Sequence, residues 1–220
     1  MKQQILKILN SFLPKNTYLV KSLAYIDYKF RTPISGDYIR VSTLELCCKE
    51  IIERSIDGNM AELGVYKGNF AWRMNHIMPE KKLYLFDTFE GFSEQDKHTE
   101  LTKSFSTTTQ NFSNTSVDLV LSKMKTPENC VIRKGFFPDT ATDISDNFCL
   151  VSIDPDLYEP TLAGLRFFYP KLSRGGYILV HDFNNDEYKG AKQAVLDFCT
   201  EQGIGYTPIA DIGGTAIITK

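Results

Sequence analysis

Acidic side chains and a histidine stand at the ends of two apolar runs in the second half of the chain. Asp154 follows the run Phe148 to Ile153, and His181-Asp182 follows the run Tyr177 to Val180. If both runs are strands of one parallel sheet, their ends lie at the same edge, and the side chains meet there. Buried ionised carboxylates are costly unless they are paired or hold a cation, so the pattern predicts a divalent metal site. Such an ion could chelate two vicinal hydroxyls of a substrate, lower the pKa of one and orient it for attack.

The identity of the metal stays open on this pattern. Oxygen ligands favour Mg²⁺, whereas a nitrogen ligand from His181 favours Mn²⁺, Fe²⁺ or Zn²⁺. His181 could also take the hydroxyl proton itself, since an imidazole pKa of about 6.5 suits general-base catalysis at neutral pH. A purely structural alternative is that Asp154 and Asp182 cap the following helices while His181 is a hydrogen-bonded core residue.

A glycine-bearing turn follows the first predicted strand, Met60 to Leu63. It reads Glu62-Leu63-Gly64-Val65-Tyr66-Lys67-Gly68 and opens a helix, which is where doubly wound folds bind a cofactor. A dinucleotide site needs a further glycine at the middle position, where Tyr66 stands, so that the backbone can approach a pyrophosphate. S-adenosylmethionine has no phosphate and needs only a close backbone approach, from Gly64 and Gly68, and a carboxylate such as Glu62. A tight turn without a ligand is the structural alternative.

Another acid, Asp87, ends the predicted strand Leu83 to Phe86, about 20 residues after the glycines. An acid at this place commonly accepts hydrogen bonds from both hydroxyls of a ribose. Asp87 could alternatively be a helix N-cap or a turn residue. Neither structural alternative accounts for the glycines and the acid at this separation.

The elements that would position these residues alternate, from residue 59 onward, between short apolar runs and helix-periodic stretches, which is typical of βαβ units. Besides the four strands already given, strands are predicted at Cys130 to Arg133, Tyr206 to Ala210 and Thr215 to Thr219. Helices are predicted at Thr43 to Ile56, Phe70 to Ile77, Thr115 to Lys125, Thr161 to Leu172 and Gly190 to Gln202. The turn Asp211 to Gly214 is too short for a crossover, so the last strand should be antiparallel. The sequence thus predicts a doubly wound α/β fold with a seven-stranded, mainly parallel sheet.

Length and composition limit the number of domains and the kinds of partner that the chain can have. A chain of 220 residues with 42% hydrophobic content can bury one sizeable core, and a net charge of -2 gives no field that would attract nucleic acid. We therefore predict one catalytic domain over residues 58–220, preceded by an N-terminal helical extension or lid over residues 1–57. The stretch Ser93 to Ser113 is polar without periodicity, and we interpret it as a lid or binding loop.

The first twenty residues, Met1 to Val20, have the spacing of an amphipathic helix. They are too short and too polar to span a membrane and lack a signal-like cleavage site, so we expect them to pack on the domain or on a second copy of the chain. Five scattered cysteines without a C-x-x-C pair are typical of reduced core residues and favour a cytoplasmic location.

Five ordered motifs resemble the macrocin O-methyltransferase-like family, whose members methylate sugar hydroxyls with S-adenosylmethionine and a divalent metal. The resemblance covers roughly residues 59–198. The motifs are Ala61-Glu62-Leu63-Gly64-Val65-Tyr66-Lys67-Gly68, Phe86-Asp87-Thr88-Phe89-Glu90-Gly91-Phe92, Lys134-Gly135-Phe136-Phe137-Pro138-Asp139-Thr140, Asp154-Pro155-Asp156-Leu157-Tyr158-Glu159-Pro160-Thr161, and Tyr169-Pro170-Lys171-Leu172 running on to Gly175-Gly176-Tyr177 and His181-Asp182-Phe183.

The resemblance implies a role for each matched residue. Glu62, Gly64, Tyr66 and Gly68 would line the methionine end of S-adenosylmethionine, Asp87 and Thr88 the ribose, and Gly135 and Phe136 the adenine side. Asp154 would be a metal ligand and the general base, with Asp182 as a second ligand. The implied acceptor is a small molecule that contains a sugar.

The chain departs from the family pattern at one place, because the family commonly has two consecutive acids where this chain has His181-Asp182. His181 then becomes either a ligand for a softer metal or the base itself. A catalytically inactive member that binds cofactor or a partner protein is the alternative from another functional class. A nicotinamide-dependent oxidoreductase is opposed by Tyr66 and by the antiparallel last strand.

Overall fold

The computed structural model describes residues 37–220 together with Ile8, Ser11 and Phe12. Apart from those three residues, the predicted amphipathic helix of Met1 to Val20 lies outside the described part of the chain. The predicted division between residues 57 and 58 stays a prediction.

A single seven-stranded sheet runs through the described domain. Its strands are β1 (Asn59–Leu63), β2 (Leu83–Asp87), β3 (Cys130–Lys134), β4 (Phe148–Ile153), β5 (Leu172–Val180), β6 (Thr207–Ile209) and β7 (Thr215–Thr219), in the spatial order β3-β2-β1-β4-β5-β7-β6. Strands β1 to β5 pair in parallel, and β7 is antiparallel to both of its neighbours. The predicted doubly wound sheet and its antiparallel last strand are confirmed.

Six α-helices connect and cover the strands of the described domain. They are α1 (Tyr38–Glu53), α2 (Asn69–Ile77), α3 (Glu94–Thr102), α4 (Val117–Leu121), α5 (Tyr158–Lys171) and α6 (Lys189–Gln202). Helices α1 and α2 pack on one face of the sheet, where Leu44 and Met74 join an apolar cluster with Met60 and Leu150. Helices α5 and α6 pack on the other face, around Leu165, Phe168 and Phe198. None of the described helices is long and apolar enough to cross a membrane.

The stretch Ser93 to Ser113 differs from its predicted form. It contains helix α3, which begins after Ser93, whose hydroxyl accepts a hydrogen bond from the backbone N–H of Asp96. The buried residues of this helix are Asp96 and Glu100 rather than aliphatic residues. The usual apolar periodicity of a packed helix is therefore missing from the sequence, which is why the helix could not be predicted.

Several boundaries differ from the prediction. Helix α4 is limited to Val117–Leu121, whereas the sequence predicted a helix from Thr115 to Lys125. Helix α1 spans Tyr38–Glu53 rather than Thr43 to Ile56, and α5 begins at Tyr158 rather than at Thr161. Strand β5 starts at Leu172, directly after α5, rather than at Tyr177, and its pairing with β4 is irregular between those two residues.

Candidate active site

A cavity of about 310 Å³ opens at the carboxyl ends of β1, β2, β4 and β5. It brings together nearly all of the predicted site residues: Glu62, Gly64, Tyr66, Asp87, Thr88, Gly135, Phe136, Asp154, His181 and Asp182. Gly68 is not part of its wall. A Cβ atom at Gly68 would instead lie 2.9 Å from a methyl carbon of Val120, so this glycine permits the packing of α4 and the left-handed start of α2.

In the turn after β1, Gly64 is required by a close approach within the chain itself, and the expected approach of its backbone to a cofactor stays a prediction. Gly64 has a φ of +85°, and a Cβ atom there would lie 2.2 Å from the carbonyl oxygen of Asp154. No side chain can occupy that space, because the backbone of the segment after β4 runs directly against the turn. The turn that faces the cavity and the segment that carries Asp154 are therefore packed against each other.

Asp87 organises this turn with its carboxylate. Its Oδ2 atom accepts hydrogen bonds of 2.8 Å from the backbone N–H groups of Val65 and Tyr66, and its Oδ1 atom accepts one of 2.7 Å from Phe89. The hydroxyl of Thr88 donates to the carbonyl of Gly91 at 2.6 Å. Both side chains line the cavity while their positions are fixed by backbone groups. A carboxylate has about four acceptor sites, so Asp87 can accept a further hydrogen bond.

Tyr66 ties the turn to the segment before α4. It has a positive φ of 47°, its hydroxyl donates to the Asn114 side chain at 2.6 Å, and its ring packs edge-on against Phe112. The hydroxyl of Thr115 donates to the backbone carbonyl of Tyr66. One wall of the cavity is therefore formed by residues that lie far apart in sequence.

Glu62, on β1, is buried at the base of the cavity. Only 1% of the residue is exposed, and its Oε2 atom has no hydrogen-bond partner among the described residues. Burial raises the pKa of this carboxyl well above its usual range, and the neighbouring Asp154 raises it further. A buried carboxyl oxygen without a partner is energetically unfavourable unless a donor or a cation reaches it. The position therefore suits a cationic part of a ligand.

Asp154, His181 and Asp182 come together because β4 and β5 are parallel neighbours, with Ile153 paired to Val180. The Nδ1 atom of His181 lies 3.1 Å from Oδ1 of Asp154 and 3.3 Å from Oδ2 of Asp182. Its Nε2 atom lies 3.0 Å from the carbonyl oxygen of Ile212. A carbonyl can only accept a hydrogen bond, so Nε2 carries a hydrogen. The other ring nitrogen, Nδ1, therefore faces two carboxylates. It either carries a proton or has a free lone pair, which would need a bound cation to offset the nearby negative charge.

The electrostatics of this cluster follow from that arrangement. Burial by itself would lower the pKa of His181, but the charge of Asp154 and the hydrogen bonds to both carboxylates raise it to about 10. Burial would raise the pKa of Asp154, but Arg40 and His181 hold it below its usual value. In the absence of another cation, the cluster is thus a protonated imidazole between ionised carboxylates.

Two residues that line the cavity were missed by the sequence reasoning. Arg40, on α1, contacts Asp154 with its Nη2 atom 2.7 Å from the Oδ2 atom. It precedes every recognisable motif, and nothing in its surroundings in the sequence marks it. Asp156 has a φ of +63°, and burial together with a hydrogen bond to Asp182 raises its pKa well above the usual value. Asp156 could have been identified from the sequence, because it is a second acid only two residues after Asp154.

The chain is similar to known proteins in both sequence and structure. The family model for macrocin O-methyltransferases matches residues 34–220. The chain is 24% identical over 193 residues to the 8-demethyl-8-(2,3-dimethoxy-alpha-L-rhamnosyl)-tetracenomycin-C 4'-O-methyltransferase of Streptomyces olivaceus, which covers 82% of the chain and 72% of the relative. It is 26% identical over 164 residues to the demethyldecarbamoylnovobiocin O-methyltransferase of Streptomyces niveus, over 66% of the chain and 60% of the relative. The solved structure of the O-methyltransferase NovP shares the fold, with a TM-score of 0.68, 22% identity, and coverage of 82% of this chain and 79% of that one.

Proposed function

Because the match to the family model spans residues 34–220, the chain belongs to the macrocin O-methyltransferase family, and we propose that it methylates a hydroxyl of a sugar or a sugar-containing small molecule with the help of a divalent metal. As a member of this family the chain is an S-adenosylmethionine-dependent O-methyltransferase. The proposal for the acceptor rests on the relatives, two of which are named for rhamnosyl-tetracenomycin and novobiocin precursors.

One observation carries the proposal for the site: a single cavity is lined both by the turn after β1 and by the acid and histidine cluster. A methyl donor held at the turn and a hydroxyl held at Asp154 would share one space, which direct displacement requires. We assign Glu62, Gly64 and Tyr66 to the methionine end of the donor. The unpartnered Oε2 atom of Glu62 supports this assignment, because the methionine end carries positive charge.

We assign the other end of the donor to residues beyond β2 and β3. Asp87 and Thr88 would contact the ribose, and Gly135 and Phe136 would lie beside the adenine. Asp87 has acceptor capacity left after its three backbone hydrogen bonds, which a ribose hydroxyl would use.

The residues of the cluster fit a divalent metal. Ligand atoms of Asp154, His181 and Asp182 lie within 4.8 Å of one another, and two of the separations, 3.1 and 3.3 Å, match neighbouring ligands around one ion. The contact from Nε2 of His181 to Ile212 is the kind of outer contact that orients a metal-binding imidazole, since it leaves Nδ1 as the ligand atom. The nitrogen donor favours Mn²⁺ or another transition ion over Mg²⁺. When bound, such an ion lowers the pKa of a coordinated hydroxyl.

The chain's own residues supply positioning and proton transfer. Asp154 would accept the proton of the acceptor hydroxyl as the oxygen forms its bond to the methyl carbon and the carbon–sulfur bond breaks. Because the pKa of Asp154 is lowered, its carboxylate is a weak base. A weak base would be sufficient if a bound metal lowered the pKa of the hydroxyl. His181 does not suit this role, because its Nε2 atom carries the hydrogen that faces the carbonyl of Ile212 and its Nδ1 atom would be the ligand of the metal, so the ring would have no free lone pair. We therefore assign His181 to metal binding and to the orientation of Asp154.

We also propose that the protein is cytoplasmic, forms a homo-oligomer and acts on a small molecule. The cysteines are free and four of the five are buried, which supports a cytoplasmic location. Ile39, Leu46 and Ile52 are 42%, 44% and 50% exposed on α1, which supports a homo-oligomer. The net charge of -2 supports a small molecule rather than nucleic acid as the partner.

Calorimetric titration with S-adenosylhomocysteine, with and without Mn²⁺ or Mg²⁺, tests the proposal. We expect saturable binding of the nucleoside and of the ion, and turnover with sugar-bearing acceptors that is lost on chelation and restored by the ion. Binding without any turnover or any ion binding would favour an inactive member of the family that serves as a binding protein. Full activity after exhaustive chelation would refute the metal.

A further inference from the structure

Arg40 is a partly buried cation in the wall of the cavity. It lies in the first turn of α1, its side chain is 17% exposed, and its guanidinium carbon lies 4.3 Å from the ring centre of Phe70. Phe70 belongs to α2, directly after the turn that follows β1. The helix that precedes the sheet therefore delivers a positive charge to the place where the turn faces the cavity.

The charged groups around Arg40 are mostly acids. Asp154 contacts it, and the charges of Glu62 and Asp182 act on it as well. The contact with Asp154 uses one of the five N–H donors of the guanidinium group. The planar fork of these donors matches a carboxylate, and several donors can serve two carboxylates at once.

We propose that Arg40 binds the carboxylate of the methionine moiety of the methyl donor while it keeps its contact with Asp154. This inference rests on the proposed function. The amino acid end of the donor carries an ammonium and a carboxylate on one carbon atom, so its site needs an anion and a cation side by side. An ammonium beside Glu62 lowers the raised pKa of this carboxyl and favours its ionised form, so Glu62 and Arg40 would provide this pair within one cavity when the donor is bound. Arg40 would thereby contact both the bound donor and Asp154, the base, so that binding of the donor would help to fix the position of Asp154.

Lys67 is the competing cation. It also lines the cavity, but its Nζ atom lies 4.9 Å from the ring centre of Tyr66. The charge of Arg40 lowers the pKa of Glu62. A lysine is also a point charge that cannot offer the paired donors of a guanidinium group.

Binding of two nucleosides separates the carboxylate from the rest of the ligand. S-adenosylhomocysteine carries the amino acid end, whereas 5′-methylthioadenosine keeps the adenosine and the sulfur but lacks that end. We expect Arg40→Gln to weaken binding of S-adenosylhomocysteine about 10- to 100-fold, which is the effect of a lost charge-assisted hydrogen bond. Binding of 5′-methylthioadenosine should change less than about threefold, since it makes no contact with Arg40. Arg40→Lys should restore part of the loss. Arg73, on α2 beside the ring of Trp72, does not line the cavity, and the matched control Arg73→Gln should leave both affinities unchanged. Lys67→Gln tests the competing cation.

Each outcome of this calorimetric experiment bears on the inference. Equal S-adenosylhomocysteine affinity in the wild type and Arg40→Gln would overturn it. A parallel loss for both nucleosides would also overturn it, because it would mean that Arg40 supports the fold of the cavity. A selective loss in Lys67→Gln would transfer the role to Lys67. If the wild type bound neither nucleoside, the proposed function itself would fail, and that result is distinct from the others.

Discussion

Metal binding at the cluster should release one proton from His181. In the absence of another cation this imidazole has a pKa of about 10, because it faces Asp154 and Asp182. A nitrogen ligand must be unprotonated to bind a metal. At pH 7 only roughly one imidazole in a thousand would be unprotonated at that pKa, so the ion has to displace the proton. Its apparent affinity should therefore rise about tenfold for each pH unit between pH 6.5 and 8.5.

Titration calorimetry in two buffers of different ionisation enthalpy measures this release directly. We expect about one proton per Mn²⁺ bound to the wild type at pH 7. His181→Gln removes the titrating ring, so it should bind the ion more weakly, with close to zero proton release and a nearly flat pH dependence. His98, which is exposed on α3, offers a matched control, and His98→Gln should behave as the wild type does.

Two results would refute this reasoning. If Mn²⁺ bound to the wild type without proton release, the imidazole would be neutral in the metal-free protein, and the charge assigned to the cluster would be wrong. If His181→Gln released the same number of protons as the wild type, the proton would come from another group, of which the buried Asp156 is the first candidate.

Further expectations concern the base, the turn and the pH dependence of stability. Asp154→Asn should lower kcat about 10²- to 10⁴-fold, the range for a lost general base, and steady-state kinetics beside S-adenosylhomocysteine binding would check that donor affinity is kept. Gly64→Ala should destabilise the fold by about 2 to 5 kcal/mol, because a positive φ and a clash with the Asp154 backbone add together; calorimetry should show a Tm lower by roughly 5 to 15 °C. His181→Asp should favour Mg²⁺ over Mn²⁺ relative to the wild type, which competition binding of the two ions would reveal. The raised pKa of His181 stabilises the metal-free protein fully below about pH 6.5, and this contribution is lost as the pH rises toward 10, so the Tm of the wild type should fall over that window more than that of His181→Gln.

The sheet could be predicted from the sequence because its signals are local. Four of the five parallel strands were predicted to within one residue at each end. A run of apolar residues bounded by polar ones shows in the sequence where such a strand begins and ends. The start of β5 was missed because its first residues, from Leu172 to Gly176, include two glycines and read as a loop. Helix α3 was missed because its buried side chains are acids, so the sequence shows no apolar periodicity there.

The candidate site was predictable only where it is built from strand ends. Asp154 and His181 are neighbours as a consequence of strand order, which follows from the alternation of elements. Arg40 reaches the same point from a helix whose angle to the sheet depends on tertiary packing, through Leu44 and Ile51 in the apolar cluster. No local pattern contains that information.

The strand ends and the segment after β2 contribute to the cavity in different ways. The strand ends are bonded to one another through the backbone: the N–H of Gly64 donates to the carbonyl of Phe86, that of Asp154 to Leu63, and that of His181 to Ile153. A substitution that moves one of these ends moves the others, so this part should tolerate little change. Residues 89–116 form another wall, with Phe92, Ser93 and Phe112 among its members, and their contacts with the turn, such as Tyr66 to Asn114, are made by side chains. That wall can change without disturbing the strand ends. We therefore expect variation of residues 89–116, a range that leaves out the donor-binding Thr88, to alter the preferred acceptor hydroxyl before it alters binding of S-adenosylhomocysteine. Kinetics on a panel of sugar acceptors beside calorimetry on the same variants would detect this, and parallel losses in both would contradict the division.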